Sequence, residues 1–395
     1  MKNVVGTPAR RDDFFQRESE VKRIISRIID GNNINIVAPR RVGKTSILYH
    51  LLDTKIGNYI YVYIDTEAID NEQDFYKKIF KAIIKTDQLE NANSLPLMLR
   101  AGNKILKKIK SIKIIGNSIE FQDNAEMGNY KEELETLLTG MEISSGTRLI
   151  LMIDEFPQTI QNIAVANKDN RKAAIQFLQS NRELRLNPHI NGKVVFIYTG
   201  SIGLNHTVAM LEGSAFINDL NSVEINPLSH GDAKSLLTGL LVDKKLKVTD
   251  AGCDYLLNKI SWLIPFYIQL AVQEIIHVSG DDKTVSEENI NTAFNNIISR
   301  RHDNHFNDYY SRLKRHFKDG RFDYANKLLC LAAEHGAFDA NTALDLSVKY
   351  KVSEHHRSIL EILIYDGYIN NVCNKNIYQF NSPILKMWWN QFICK

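Results

Sequence analysis

Two short stretches gather residue types that handle phosphate. The first is Ala38-Pro39-Arg40-Arg41-Val42-Gly43-Lys44-Thr45. In a loop between a strand and a helix, such residues cradle phosphates. Backbone N–H groups converge where the helix N-terminus favours anions, the lysine reaches the β- and γ-phosphates, and the hydroxyl binds magnesium. Lys44 and Thr45 would take the last two roles, and Gly43 lets the backbone approach closely. Pro39, Arg40, Arg41, Val42 and Ser46 complete the cradle. The usual first glycine of such a loop is Ala38 here, which fits if that position needs no positive φ.

The second stretch, Leu149-Ile150-Leu151-Met152-Ile153-Asp154-Glu155, is an apolar run closed by two acids. A buried apolar strand does not usually end in adjacent carboxylates unless they face a site. Asp154 would hold magnesium through water, and Glu155 would polarise the attacking water for in-line displacement at a γ-phosphate. A third apolar run, Val194–Tyr198, ends in Thr199-Gly200-Ser201. Ser201 or Thr199 could sense the γ-phosphate or position the water. The residues do not choose between them; Ser201 is grouped with Glu155 and Lys44 as catalytic.

These tips need a scaffold that brings strand ends together. Ile34–Val37 reads as a strand entering the Gly-Lys-Thr loop, and 46–52 as the helix leaving it. A helix from about Glu18 carries Val21, Ile24, Ile25, Ile28 and Ile29 on one face and stops at Gly31-Asn32-Asn33. Residues 59–64 form a β-prone run ending at Asp65; Phe75, Ile79 and Ile83 mark a helix; 170–184 form another. Strands alternating with helices predict an α/β fold, a parallel sheet with helices on both faces, whose ligands collect at C-terminal strand ends. Residues 86–145 depart from the alternation: 99–109 read as a lysine-rich helix, 112–115 and 118–121 flank Gly116-Asn117 as a hairpin, and 130–141 are helical. Strands stop near 226, and 229–299 are helical in pattern, with Pro265 interrupting or starting a helix. From about Phe322, short helices lead to Gly367-Tyr368-Ile369 and Ile377-Tyr378-Gln379-Phe380, a two-stranded ribbon that suggests a winged helix.

With 395 residues, 44% hydrophobic and 24% charged, the chain can build two or three ordinary globular domains without metal or disulfide staples. A net charge of +3 argues neither for nor against nucleic acid. Cys253, Cys330, Cys373 and Cys394 are isolated and read as reduced thiols, and the eleven histidines show no metal spacing. The N-terminal stretch lacks a secretory apolar region, and no run approaches the roughly 18 apolar residues of a membrane span, so a cytoplasmic protein is expected.

The chain resembles prokaryotic AAA+/STAND-type ATPases, in particular the archaeal-ATPase group. The matching text is Asp12-Asp13-Phe14-Phe15-Gln16-Arg17-Glu18, the loop from Ala38 to Ser46, Met152-Ile153-Asp154-Glu155-Phe156 and Tyr198-Thr199-Gly200-Ser201. It ends with Asp366-Gly367-Tyr368-Ile369 and Tyr378-Gln379-Phe380-Asn381-Ser382-Pro383. The resemblance implies ATP as substrate, Mg2+ as cofactor, and Phe14, Phe15 and Arg17 near the adenine. It divides the chain into a core at 1–228, a helical lid at 229–300, a basic helical linker at 301–321 and a winged helix at 322–395. In the lid, Pro265 matches a nucleotide-touching proline, but Leu263 stands where the family often has glycine. Arg182 and Arg185, then Arg300 and Arg301, are arginine-finger candidates.

Basic clusters fall at Lys104, Lys107, Lys108, Lys110 and Lys113, and at Arg300, Arg301, His302, Arg312, Lys314, Arg315, Lys318 and Arg321. The first reads as a solvated helix face; the second is equally that or a track for a phosphate backbone. His355-His356-Arg357 would open a recognition helix, and Trp388 and Trp389 read as packing residues. Three functions follow as expectations: an ATPase coupling its cycle to movement of the lid and winged helix, a slow nucleotide-gated switch for a protein partner, or a duplex-DNA-binding ATPase. Homo-oligomers are compatible with each, and defence against mobile elements is a setting implied by the resemblance.

Overall fold

The computed structural model describes residues 1–90, 112–115, 118–121, 129–141, 143, 146–166, 170–201, 203–280, 284–299 and 302–394. Two compact units emerge. One comprises Gln16–Ala38 and Lys44–Ile225; the other comprises Met1–Phe15, Pro39–Gly43 and Asn226–Lys395.

The first unit is built on five strands: β1 (Ile34–Val37), β2 (Tyr59–Asp65), β5 (Arg148–Asp154), β6 (Val194–Tyr198) and β7 (Asn221–Glu224), ordered β2-β5-β6-β1-β7. Every neighbouring pair is parallel. In β5 every residue from Leu149 to Asp154 is buried, and β6 is buried throughout. Strands buried on alternate and intervening positions alike must be covered on both faces, which is why their sequences are apolar without alternation. The register sets Asp65 beside Asp154 and Ile153 beside Tyr198, so the strand tips lie level. Phe156, immediately after Glu155, anchors the β5 tip: its ring lies 4.4 Å from Tyr198 and 5.6 Å from both Phe75 and Phe177. The expected hairpin is present as β3 (Ile112–Ile115) paired antiparallel with β4 (Ser118–Phe121). The lysine-rich 99–109 stretch, Arg300 and Arg301 lie outside the described residues, as does Lys113's side chain.

In the second unit four helices follow one another, His230–Asp243, Asp250–Ile260, Pro265–Ser279 and Glu287–Ile297. Their starts are written in the sequence: Ser229, Thr249 and Ser286 cap through their hydroxyls, and Pro265 takes the first helical turn, where its missing N–H costs nothing. Helices Asp303–His316, Asp319–His335, Ala340–Lys349, His356–Tyr365 and Pro383–Phe392 make up the rest. The terminal ribbon has three strands rather than two. β8 (Phe338–Asp339) joins β10 (Ile377–Phe380), which pairs with β9 (Ile369–Asn371), in the helix-and-wing order of a winged helix. The two-residue β8 is too short to leave a period in the sequence. Trp388 and Trp389 are core residues, with their indole N–H groups donating to Asp303 and Asn326.

The reading of four reduced thiols needs correction. Cys330 and Cys394 are disulfide-bonded, with Cα atoms 5.3 Å apart, while Cys253 and Cys373 are free. A separation of 64 residues leaves no local spacing signal. Among the described residues, no helix is long and apolar enough to cross a membrane.

Candidate nucleotide-binding site

At the end of β1, Ala38 does not adopt positive φ, which is why alanine replaces the usual glycine there. The left-handed positions are Arg41 at φ 61° and Gly43 at φ 102°. Lys44 opens helix Lys44–Thr54; its side chain is buried and its Nζ donates to Ala38 O at 3.3 Å. Next to it, Thr45 Oγ1 donates to Asp154 Oδ2 at 2.8 Å.

Asp154 is held at both oxygens. Oδ2 also accepts from Tyr63 OH at 3.1 Å, and Oδ1 accepts from the Glu155 N–H at 3.1 Å. The carboxylate is only 3% exposed. Burial pushes its pKa up and Glu155 adds to this, against the opposing pull of Thr45, Lys44 and Tyr63. Tyr63 is braced in turn, its ring 4.7 Å from that of Tyr49. Sequence reading missed Tyr63. Its one signal was a polar-tipped aromatic two residues before the Asp65 strand tip, in a run where aromatics are expected anyway.

Glu155 adopts φ 58°, a left-handed conformation that costs a non-glycine residue about 1 kcal/mol or more. The turn points its side chain toward β6, where Oε2 accepts from the Ser201 N–H at 2.9 Å and from Ser201 Oγ at 2.8 Å. Gly200 makes this approach possible: a Cβ there would fall 2.6 Å from Pro157 Cδ. Thr199 and Ser201, indistinguishable by sequence, are thereby separated. Ser201 grips Glu155, whereas the Thr199 Oγ1 is buried without a hydrogen-bond partner among the described residues, and its backbone stitches β6 to the β5 tip.

Other residues named from sequence have varied surroundings. Arg17 is buried and pairs with Glu20 at 3.1 Å; Phe14 is buried. Pro265 starts a helix, and the Leu263 carbonyl accepts from the Leu228 N–H at 2.8 Å. Within the second unit, Arg40 pairs with Asp308, and the Arg41 guanidinium lies 4.0 Å over the Phe266 ring. Arg185, a candidate arginine finger, is 2% exposed and forms a two-pronged pair with Asp219, at 2.7 and 2.9 Å. Arg182 donates to Asn218 at 3.2 Å. Of the second basic run, His302 and Arg312 face inward, and Lys314, Arg315, Lys318 and Arg321 are exposed.

The donor set suits its implied ligands. Thr45 Oγ1 and the Asp154 carboxylate are hard oxygen donors in contact, a pairing that fits Mg2+, which keeps much of its water. The turn at Gly43 and the start of a helix at Lys44 suit a phosphate.

No protein-family model matches the chain, and no curated protein does. Solved structures do match. The Walker-type ATPase PABY2304 of Pyrococcus abyssi is 16% identical, with TM-score 0.68 over 98% of this chain and 99% of that one. The chain has the fold of a Walker-type ATPase. The ORC2 protein of Aeropyrum pernix, solved as ADPNP–ADP complexes, is 10% identical, with TM-score 0.54 over 98% of this chain and 95% of that one. At such identities the likeness concerns the fold.

Proposed function

We propose that this chain binds ATP with Mg2+ and hydrolyses it to ADP and phosphate, its nucleotide state governing the helical lid and the winged helix. The observation that carries this reading is the Thr45–Asp154 hydrogen bond, which joins the phosphate loop to the acidic tip of β5. Bound Mg2+ would neutralise charge on the β- and γ-phosphates. Lys44 sets a cation at the same place, and Asp154, fixed by Thr45, Tyr63 and the Glu155 N–H, is oriented to receive the hydrated ion. Glu155 has one oxygen tied by Ser201, which leaves Oε1 to orient and polarise a water. Ser201 is on this reading a positioning residue for that base, and Lys44 and Glu155 are the groups that meet the reacting phosphate and water.

The geometry favours slow turnover, in the manner of a switch. Arg185, one of the arginine-finger candidates, is held by Asp219 within its own unit, which counts against its reaching a second subunit's nucleotide. The DNA-binding alternative draws less support, because Arg312 and His302 leave the basic run for the interior. Steady-state phosphate release, measured for the unaltered chain and for Glu155→Gln, tests the proposal. Hydrolysis should need Mg2+ and disappear in the variant; equal rates in both would remove Glu155 from its role.

A further inference from the structure

A cavity of about 430 Å³ opens in the second unit, beside the wing strands β9 and β10. Its volume falls in the range of small-ligand sites, roughly 300–1,000 Å³. Three features mark it as built. The first is Trp262, projected by a strained turn. Ser261 has φ 59° and ψ −54°, and the Trp262 N–H donates back to the Ile260 carbonyl, closing a γ-turn of the rare form. The indole is accommodated by Gly367, where a Cβ would fall 2.9 Å from Trp262 Cη2.

The second feature is a set of ordered amides. Asn370 and Gln379 are direct cross-strand partners, so their side chains share one face of the ribbon. Asn370 Nδ2 donates to Asn381 Oδ1, and Asn381 Nδ2 to the Ile369 carbonyl, each at 2.9 Å. This relay fixes Asn370 and leaves its Oδ1 as an acceptor. Gln379 is exposed and makes no side-chain hydrogen bond among the described residues.

The third is Lys386, half-buried on the first turns of helix Pro383–Phe392. Among the described residues it has no carboxylate partner. Its Nζ lies near Gly336, at the end of helix Asp319–His335, where carbonyls steady a cation. Among the described residues, no acidic side chain lines the cavity.

An aromatic plate, paired donors and acceptors, and one cation without a carboxylate partner among the described residues together select a flat heterocycle carrying a negative charge. We propose that this cavity, whose Gly367 seat for Trp262 also faces Pro39, is a second binding site for a nucleotide unit. The base stacks on Trp262, its edge meets Asn370 and Gln379, and its phosphate pairs with Lys386. The unit comes either as a free mononucleotide or within a single strand.

The test uses the full chain carrying Lys44→Ala, which silences the phosphate loop, titrated with AMP and separately with an oligodeoxythymidylate. Trp388 and Trp389 are buried, so a change in tryptophan fluorescence reports on Trp262. Saturable quenching is expected, with affinity about tenfold weaker when Lys386→Gln is added or adenosine replaces AMP. Quenching by AMP assigns the free nucleotide; quenching by the oligonucleotide alone assigns the strand. Absence of quenching by both, or quenching that Lys386→Gln leaves unchanged, overturns the proposal. The half-exposed position of Lys386 keeps that variant folded. Failure here leaves phosphate-loop binding in the unaltered chain untouched.

Discussion

Thr45 Oγ1 and Asp154 Oδ2 lie 2.8 Å apart although 109 residues separate them in the chain. The contact exists because helix Lys44–Thr54 begins at one strand tip and β5 ends two strands away, all at one edge of a parallel sheet. Everything assigned to the site is a consequence of that edge.

Tyr63 is the first residue to test. Its hydroxyl is one of two donors to Asp154 Oδ2, and Tyr63→Phe removes that donor while keeping the ring against Tyr49. A hydrogen bond to a charged group contributes about 1.5–3 kcal/mol. The Mg2+ concentration needed for half-maximal ATP binding should therefore rise about tenfold. Affinity for ATP without Mg2+ should stay as it was; a fall in both would make Tyr63 a packing residue only.

Ser201→Ala takes one of two donors from Glu155 and leaves the backbone N–H in place. The rate constant for hydrolysis should fall about tenfold with little change in KM, because a positioned base acts in the transition state rather than in binding. Glu155→Gln should bind ATP normally and lose turnover by about a hundredfold or more.

The backbone at Glu155 offers an independent check through stability. At φ 58°, glycine fits better than alanine. Glu155→Gly should be more stable than Glu155→Ala by about 1 kcal/mol in denaturant unfolding, though both are inactive. Equal stabilities would mean the turn relaxes to ordinary backbone.

Arg185→Met leaves Asp219 without its partner in a site where the arginine is 1% exposed. Breaking a buried pair from one side costs about 3–5 kcal/mol. A loss of that size in unfolding free energy is expected, with the folded variant hydrolysing ATP at the rate of the unaltered chain. A stable variant with impaired catalysis would return Arg185 to the arginine-finger role.

Asp308 links stability to pH in the second unit. Burial works against its charge, but Arg40, Arg312 and Arg41 outweigh this and hold the carboxyl below its ordinary range. The unfolded chain then takes up the proton more readily than the folded one near the ordinary aspartate pKa of about 3.9. The pairing therefore stabilises above that value and is lost as pH falls through the lower folded pKa. Asp308→Asn should cost about 1 kcal/mol at neutral pH, a modest figure because the carboxylate is a third exposed. In thermal melts the gap from the unaltered chain should close in strong acid; a gap independent of pH would mean that charge is not what Asp308 contributes.

How far the sequence led is visible at particular residues. Lys44, Thr45, Asp154 and Glu155 were readable because strand, loop and helix signals flank them, and apolar runs without alternation identified β5 and β6 as interior strands. Contacts made across strands were not readable. Tyr63 reaches Asp154 from β2, and Ser201 rather than Thr199 meets Glu155 because of one φ angle and one glycine without a Cβ. Arg185 and Arg312 show the same limit in another form. A charge in an amphipathic helix looks alike whether it meets solvent or a buried partner, and only the packed structure distinguishes them.

Calorimetric titration with ATP, in the presence and absence of Mg2+, on the unaltered chain and on Asp154→Asn, addresses the shared site most directly. The unaltered chain should bind ATP about tenfold or more tightly with Mg2+ than without, and Asp154→Asn should keep the metal-free affinity but lose the enhancement. If the unaltered chain binds no ATP, or if Mg2+ enhances both proteins equally, Thr45 and Asp154 do not form a common nucleotide–metal site.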